Sequence, residues 1–211
     1  ETSSDHAGYQ ARQAASAARG KLRGQGLCYY IETILGDPSE DAKVVFNEDG
    51  TVAIYVGTQS AGQGHETVYA QFLSDQTGIP ADRIEVIQGD SSLIARGGGT
   101  GGSRSVTTQA NATLAVVDKM IATFTPFLSD LMGVDEAAIR FDEDRFRAEG
   151  SNLTPTLMDV AEMARDAGRD DLLTHEAYAT LPARSYPNGA HIAEVEIDPD
   201  TGKVTLDRYF V

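Results

Sequence analysis

Apolar positions recur along this chain in two rhythms, one of helical period and one of strand period. From His65 to about Gly78, Val68, Tyr69, Phe72 and Leu73 fall at i, i+1, i+4 and i+5, one face of an amphipathic helix. A longer helical pattern opens near Ser103 and carries Val106, Ala110, Leu114, Val117, Ile121 and Leu128. It predicts a long central helix that Pro126 bends or ends. Thr154-Pro155 predicts a further helix reaching about Ala167, with proline at the favoured first helical position and Gly168 as its C-terminal cap. Residues 5–19, rich in Ala, Arg and Gln, read as an N-terminal helix stopped by Gly20, with Arg19 and Lys21 near the negative end of its dipole.

The β-rich runs lie at about 25–35, 42–47 and 51–57, and the last two are joined by Asn47-Glu48-Asp49-Gly50, whose Asp-Gly pair signals a hairpin. All three are expected to pair as one antiparallel sheet. Further strands are expected at 83–87, as short pieces near 138–148, and at 171–180, 190–198 and 203–211. The final two are linked by the turn Asp198-Pro199-Asp200-Thr201-Gly202-Lys203. Helices and strands neither alternate regularly nor repeat at a fixed period, so the class is α+β, with mixed or antiparallel sheets and packed helices. At 211 residues one compact unit is expected, with room for two lobes.

Charge narrows the partners. The 17 Lys and Arg against 32 Asp and Glu give a formal charge of −15, which repels phosphate backbones and argues against nucleic acid as a partner. A phosphate-bearing cofactor stays allowed, because backbone N–H groups at a helix start hold an anion locally whatever the net charge. Cys28, the single cysteine, sits in the apolar run Leu27-Cys28-Tyr29-Tyr30-Ile31 and reads as a small buried hydrophobe. No apolar run reaches the ~20 residues of a membrane span, and the first residues show no signal pattern, so a cytoplasmic location is expected. The chain opens at Glu1 without methionine and closes on the apolar residues Val204, Leu206, Tyr209, Phe210 and Val211. The expectation is a piece of a longer polypeptide.

Two loops carry the candidate chemistry. Gly57-Thr58-Gln59-Ser60-Ala61-Gly62-Gln63-Gly64-His65-Glu66 runs from a strand into a helix, where glycines admit a ligand close to the backbone and the helix start offers unpaired N–H donors. Gln63 adds an amide, while the plainer reading is a tight turn with Glu66 complementing the helix dipole. Gly97-Gly98-Gly99-Thr100-Gly101-Gly102-Ser103-Arg104-Ser105 opens the long helix in the same way, with a possible nest of N–H groups, three hydroxyls and an arginine. Gly97, Gly99 and Gly102 satisfy G-x-G-x-x-G, but the loop does not directly follow a strand, and neither loop ends in Gly-Lys-Ser/Thr. His6, His65, His175 and His191 stand far apart with no metal-ligand spacing, so no metal ligand is assigned. Glu194 and Glu196 share a strand face, read as a solvated face rather than a carboxylate dyad.

Taken together, Gly62-Gln63-Gly64-His65-Glu66-Thr67 with Tyr69-Ala70-Gln71, Gly99-Thr100-Gly101-Gly102-Ser103-Arg104-Ser105, and Pro187-Asn188-Gly189-Ala190-His191-Ile192-Ala193-Glu194-Val195-Glu196 resemble the large molybdenum subunit of the xanthine dehydrogenase, aldehyde oxidase and carbon monoxide dehydrogenase family. Leu22-Arg23-Gly24-Gln25-Gly26 is similar to the start of that family's second cofactor-binding half, so the resemblance covers nearly the whole chain.

The resemblance implies a molybdopterin cofactor, in bacteria often the cytosine dinucleotide form, and hydroxylation of an aldehyde, an N-heterocycle or carbon monoxide with oxygen from water. It places Gln63, Gly64 and His65 against the pterin or metal side and Thr100, Gly101, Gly102, Ser103, Arg104 and Ser105 on the pyrophosphate and dinucleotide. Gly102 departs from relatives that carry serine there, removing one hydroxyl donor. The family's general-base glutamate lies downstream of this sequence, so no catalytic residue is assigned and the piece alone is expected to be inactive. The implied partners are the remainder of the large subunit, iron–sulfur and FAD subunits or domains, and a small-molecule substrate. Two other readings stay open: a non-catalytic binding or assembly module, and a nucleotide-binding enzyme using residues 97–105 for phosphate.

Overall fold

The computed structural model describes residues 6–211. In chain order the first elements are α1 (Tyr9–Ala18), β1 (Leu22–Ile31), β2 (Ser39–Phe46), β3 (Val52–Val56), α2 (His65–Thr77), β4 (Ile84–Gln88) and α3 (Ser105–Met132). They are followed by β5 (Arg140–Asp142), β6 (Arg145–Arg147), α4 (Leu157–Asp166), β7 (Thr174–Thr180), β8 (Asn188–Ile197) and β9 (Val204–Phe210). The chain divides into two compact units, one of residues 34–184 and one made from the two ends. The α+β class is as expected.

The larger unit is built on a four-stranded sheet of order β4-β3-β2-β7. The hairpin joining β2 and β3 forms as expected, with Val44 opposite Ile54. β7 lies antiparallel to β2, while β4 runs parallel to β3, which makes the sheet mixed. One face is apolar: Val44, Ile54 and Val56 pack with Leu73 of α2 and with Val116, Met120 and Phe124 of α3, all of them almost fully buried. Pro126 does not end α3, which runs on to a left-handed Gly133. Phe124 and Leu128, fully buried on either side of it, give the continued helix burial that offsets a lost backbone hydrogen bond. The start of α4 also differs from expectation. Thr156 is its N-cap, forming a reciprocal capping box with Asp159, and Pro155 lies just outside with its carbonyl accepting from Phe146 N–H at 2.8 Å.

The smaller unit corrects three expectations. β1 does not join β2 and β3; it pairs antiparallel with β8, and β9 completes a sheet of order β1-β8-β9. Glu194 and Glu196 do not form a solvated face, because α1 covers their side of the sheet. Glu194, fully buried, accepts from Arg12, from Arg23 at 3.0 Å and from Gln25 at 3.1 Å, while Glu196 accepts from Ser16 and Arg19. Cys28 is exposed rather than buried, and Leu27 and Tyr29 on the other face of β1 are exposed as well. Among the described residues Ser16, Glu194 and the Arg23 side chain are the buried groups of this unit, so ion pairs stand where an apolar core would be. The N-terminal helix is expected from residue 5, which lies outside the described residues; its regular part is α1.

Candidate functional site

Because β3 and β4 run parallel, their C-terminal ends lie side by side, and both glycine loops meet at that edge of the sheet. The first loop departs at Gly57, and the second approaches through Gly97. A β-carbon on Gly57 would stand 2.2 Å from Glu40 Oε1 and 2.4 Å from the Gly97 Cα, so the two backbones cross in direct contact. Thr100 ties the loops a second time: its hydroxyl donates to the Gln59 carbonyl at 2.6 Å and accepts from the Gln59 N–H at 2.9 Å and the Ser105 hydroxyl at 3.2 Å.

Between the loops lies a cleft of about 620 Å³, lined by Gln59, Ser60, Asp90, Ser91, Ile94 and Thr100 together with glycine backbone. Amides order the first loop beside it. Gln63 Oε1 accepts from Ala61 N–H at 2.6 Å, and Gln88 accepts from Ser60 N–H at 2.8 Å while donating to Glu66 at 2.5 Å. The Glu66 carboxyl is held below its usual range chiefly by its own backbone N–H, with Gln88 and Ser60 adding to the effect. Gly64, at φ 80°, caps α2 in a conformation that side chains disfavour.

His65 opens α2 and is 4% exposed, tilted against the Tyr69 ring at 5.2 Å. Its Nδ1 is buried and has no partner among the described residues. Tyr69 in turn shares a 2.7 Å hydrogen bond with Thr58, and burial pushes its phenol pKa up.

The second loop presents donors. Among the described residues the N–H groups of Gly99, Thr100, Gly101, Gly102 and Ser103 have no protein acceptor, and three of these residues take left-handed backbone: Gly99, Gly102 and the non-glycine Ser103 at φ 58°. A strained serine beside a row of unpaired donors at a helix start suits an anionic group. Gly102 has its own cause. A β-carbon there would stand 2.9 Å from Leu35 Cβ, and its carbonyl accepts from Leu35 N–H at 2.8 Å.

Arg104 is turned inward. It is 2% exposed, pairs with Glu40 at 2.9 Å, and donates to the carbonyls of Asp37, Ser39 and Gly99. Glu40, fully buried in β2, also accepts from Gly98 N–H at 3.0 Å, so this pair holds the loop from beneath. Sequence reasoning missed Glu40, whose one local signal is an acidic pair near the start of a strand that ends in the apolar run Val44-Val45-Phe46. It also missed Gln88 and Asp90.

The histidine motif lies in the smaller unit, where His191 stacks on Tyr30 at 5.5 Å and meets the Tyr209 hydroxyl at 2.8 Å. No group of three or more His, Cys, Asp or Glu suited to a metal ion occurs among the described residues, and no helix there is long and apolar enough to cross a membrane.

Residues 2–211 match the family model described as the molybdopterin cofactor-binding domain. The chain is 31% identical over 205 residues to the carbon monoxide dehydrogenase large chain of Afipia carboxidovorans, covering 90% of this chain and 25% of that one. It is 27% identical to the nicotine 6-hydroxylase large subunit of Paenarthrobacter nicotinovorans, covering 98% of this chain and 28% of that one. Among solved structures it is similar to the Cu,Mo-CO dehydrogenase in its carbon monoxide reduced state, with a TM-score of 0.83 at 31% identity over 99% of this chain and 29% of that one. Quinoline 2-oxidoreductase from Pseudomonas putida 86 shares the fold, with a TM-score of 0.80 at 24% identity over 100% of this chain and 29% of that one. The chain thus spans about a quarter of the length of the relatives it matches. It belongs to the molybdopterin cofactor-binding domain family.

Proposed function

We propose that the chain is one cofactor-binding domain of a molybdenum hydroxylase, acting within a larger subunit that oxidises an aldehyde, an N-heterocycle or carbon monoxide with water as the oxygen source. The observation that carries this reading is the convergence of both glycine loops on one cleft, which Gly99 and Thr100, the first of the unpaired N–H donors, line directly; the orphaned His65 Nδ1 lies buried where the first loop enters α2. These residues fit a planar polar ring joined to a phosphate. Gln63, Gly64 and His65 hold the pterin side, through the Gln63 amide N–H groups and the imidazole. The N–H groups of Thr100, Gly101, Gly102 and Ser103 hold the pyrophosphate, and the Ser103 hydroxyl adds a donor. Arg104 and Ser105 act from beneath: Arg104 fixes the loop through Glu40, and Ser105 orients the Thr100 hydroxyl.

When bound, the molybdenum centre of the cofactor supplies the two-electron oxidation. This chain's part is to bind and orient the cofactor, and no residue in it is assigned as general base. By itself it is inactive; the remainder of the large subunit, iron–sulfur and FAD partners and a small-molecule substrate complete the enzyme, in the cytoplasm. The cofactor is the cytosine dinucleotide form. Acid hydrolysis of the cofactor from the intact subunit, made in a host that synthesises that form, tests this: release of cytidine monophosphate equimolar with pterin is expected, and pterin without nucleotide would refute the dinucleotide assignment.

A further inference from the structure

Residues 89–97 form the wall of the cleft that leads from β4 to the second glycine loop. Glycines bound the segment at both ends, Gly89 at φ 75° and Gly97 followed by Gly98 and Gly99. Between them is one turn, in which Asp90 accepts from Ser92 N–H through its carboxylate at 2.8 Å and from Ile94 N–H through its carbonyl at 3.0 Å. None of these residues is buried and Ile94 alone is half-buried, so apolar packing does little to hold the wall.

Two cations tie it to the sheet instead. Lys43 on β2 lies 4.0 Å over the Tyr55 ring and donates to the Leu93 carbonyl at 3.1 Å. Arg96, within the segment, makes a bidentate pair with Asp41 of β2 at 2.9 and 3.2 Å and lies 4.5 Å over the Tyr178 ring of β7. The register sets Lys43 opposite Tyr55 and Asp41 opposite Tyr178, so all four stand on the sheet face away from the apolar core. A small cavity of about 90 Å³ remains under Leu93 and Ile94.

We propose that residues 89–97 are a hinged strap, latched to the outer face of the sheet by Lys43 and Arg96, whose release opens the cleft and whose closure retains the bound cofactor. Arg96 and Lys43 are thus positioning residues, one step from the crossing of Gly97 on Gly57. The inference rests on the cofactor reading above. Arg96 is largely exposed although its partner Asp41 is buried, so salt weakens the latch in part and cofactor release should quicken with ionic strength.

The test uses the intact, cofactor-loaded subunit and follows pterin release into solution as sodium chloride is raised, for wild type, Arg96→Ala, Arg96→Lys and Lys43→Met. Arg96→Ala should release pterin about tenfold faster and lose most of the salt dependence. Arg96→Lys, which keeps the charge without the bidentate fork, should fall between. Hydrogen exchange of the unloaded protein should rise at 89–97 and not at 52–56, a local change that general destabilisation does not produce. Lys43→Met, which leaves the Arg96 pair intact, carries the same test should Arg96→Ala fail to fold. A pterin-replete wild type with unchanged release in Arg96→Ala and Lys43→Met overturns the strap and leaves the cofactor reading standing. A wild type without pterin overturns both.

Discussion

Gly57 and Gly97 meet backbone to backbone: a β-carbon on Gly97 would stand 2.6 Å from the Gly57 Cα and 2.6 Å from its carbonyl oxygen. Neither neighbour is a flexible side-chain end that can swing aside. Gly57→Ala and Gly97→Ala should each cost about 1–3 kcal/mol in urea denaturation. Gly101→Ala, with nothing within 4 Å and no left-handed backbone, should cost within about 1 kcal/mol and serves as the control. Equal stability of all three would contradict the crossing.

The Glu40–Arg104 pair is buried on both sides, and each partner also satisfies loop backbone. Removing one partner strands the other, so Glu40→Gln or Arg104→Met should cost about 3–5 kcal/mol. Together they should cost less than the sum of the two, because the double variant leaves no uncompensated charge. A double-mutant cycle by chemical denaturation measures the coupling, and strict additivity would refute it.

His175 gives the fold an acid limit. It is 3% exposed, edge-on to Phe46 and Phe124, and burial, with a smaller push from Lys119, lowers its pKa from 6.5 to about 4 against a hydrogen bond to the Leu172 backbone. The unfolded chain therefore binds the proton first. Stability from this residue is complete above pH 6.5 and declines as pH falls toward about 4, a total of about 3 kcal/mol. His175→Phe should flatten this part of a denaturation-versus-pH curve, and an unchanged slope would contradict the assignment.

In the smaller unit, Glu194 is held below its usual pKa mainly by Arg12, and Glu196 mainly by Ser16. Their folded values are depressed, so the stability they supply is present at neutral pH and lost as pH falls below about 4.5 and through the folded values. Protection of the α1 amides, measured against their intrinsic exchange rates at each pH, should therefore fall on acidification, and Arg12→Met should bring that fall to a higher pH. Protection of α1 that ignores pH would contradict an ionic attachment.

Features set by neighbouring residues were legible in the sequence. The helical period of Val68, Tyr69, Phe72 and Leu73, the Asp49-Gly50 turn and the glycines before both helices each encode local conformation, and each corresponds to an observed element. What depended on distant chain was not. The partner of β1 is β8, whose first pair joins Ile31 to Asn188, and no local pattern distinguishes that pairing from one with β2. The Glu40 partner of Arg104 comes from β2, more than sixty residues away, and Glu194 reads as solvated until α1 covers it. Cys28 fails for a related reason, since an apolar run in a strand does not say whether either face is covered.

Molybdenum and pterin analysis of the intact subunit from a molybdopterin-making host, for wild type, Gln63→Ala and Thr100→Val, decides whether the two crossed glycine loops hold a molybdopterin cofactor. Equimolar molybdenum and pterin in the wild type, with loss of both from the folded variants, is the expected result. A folded wild type lacking both would contradict the claim.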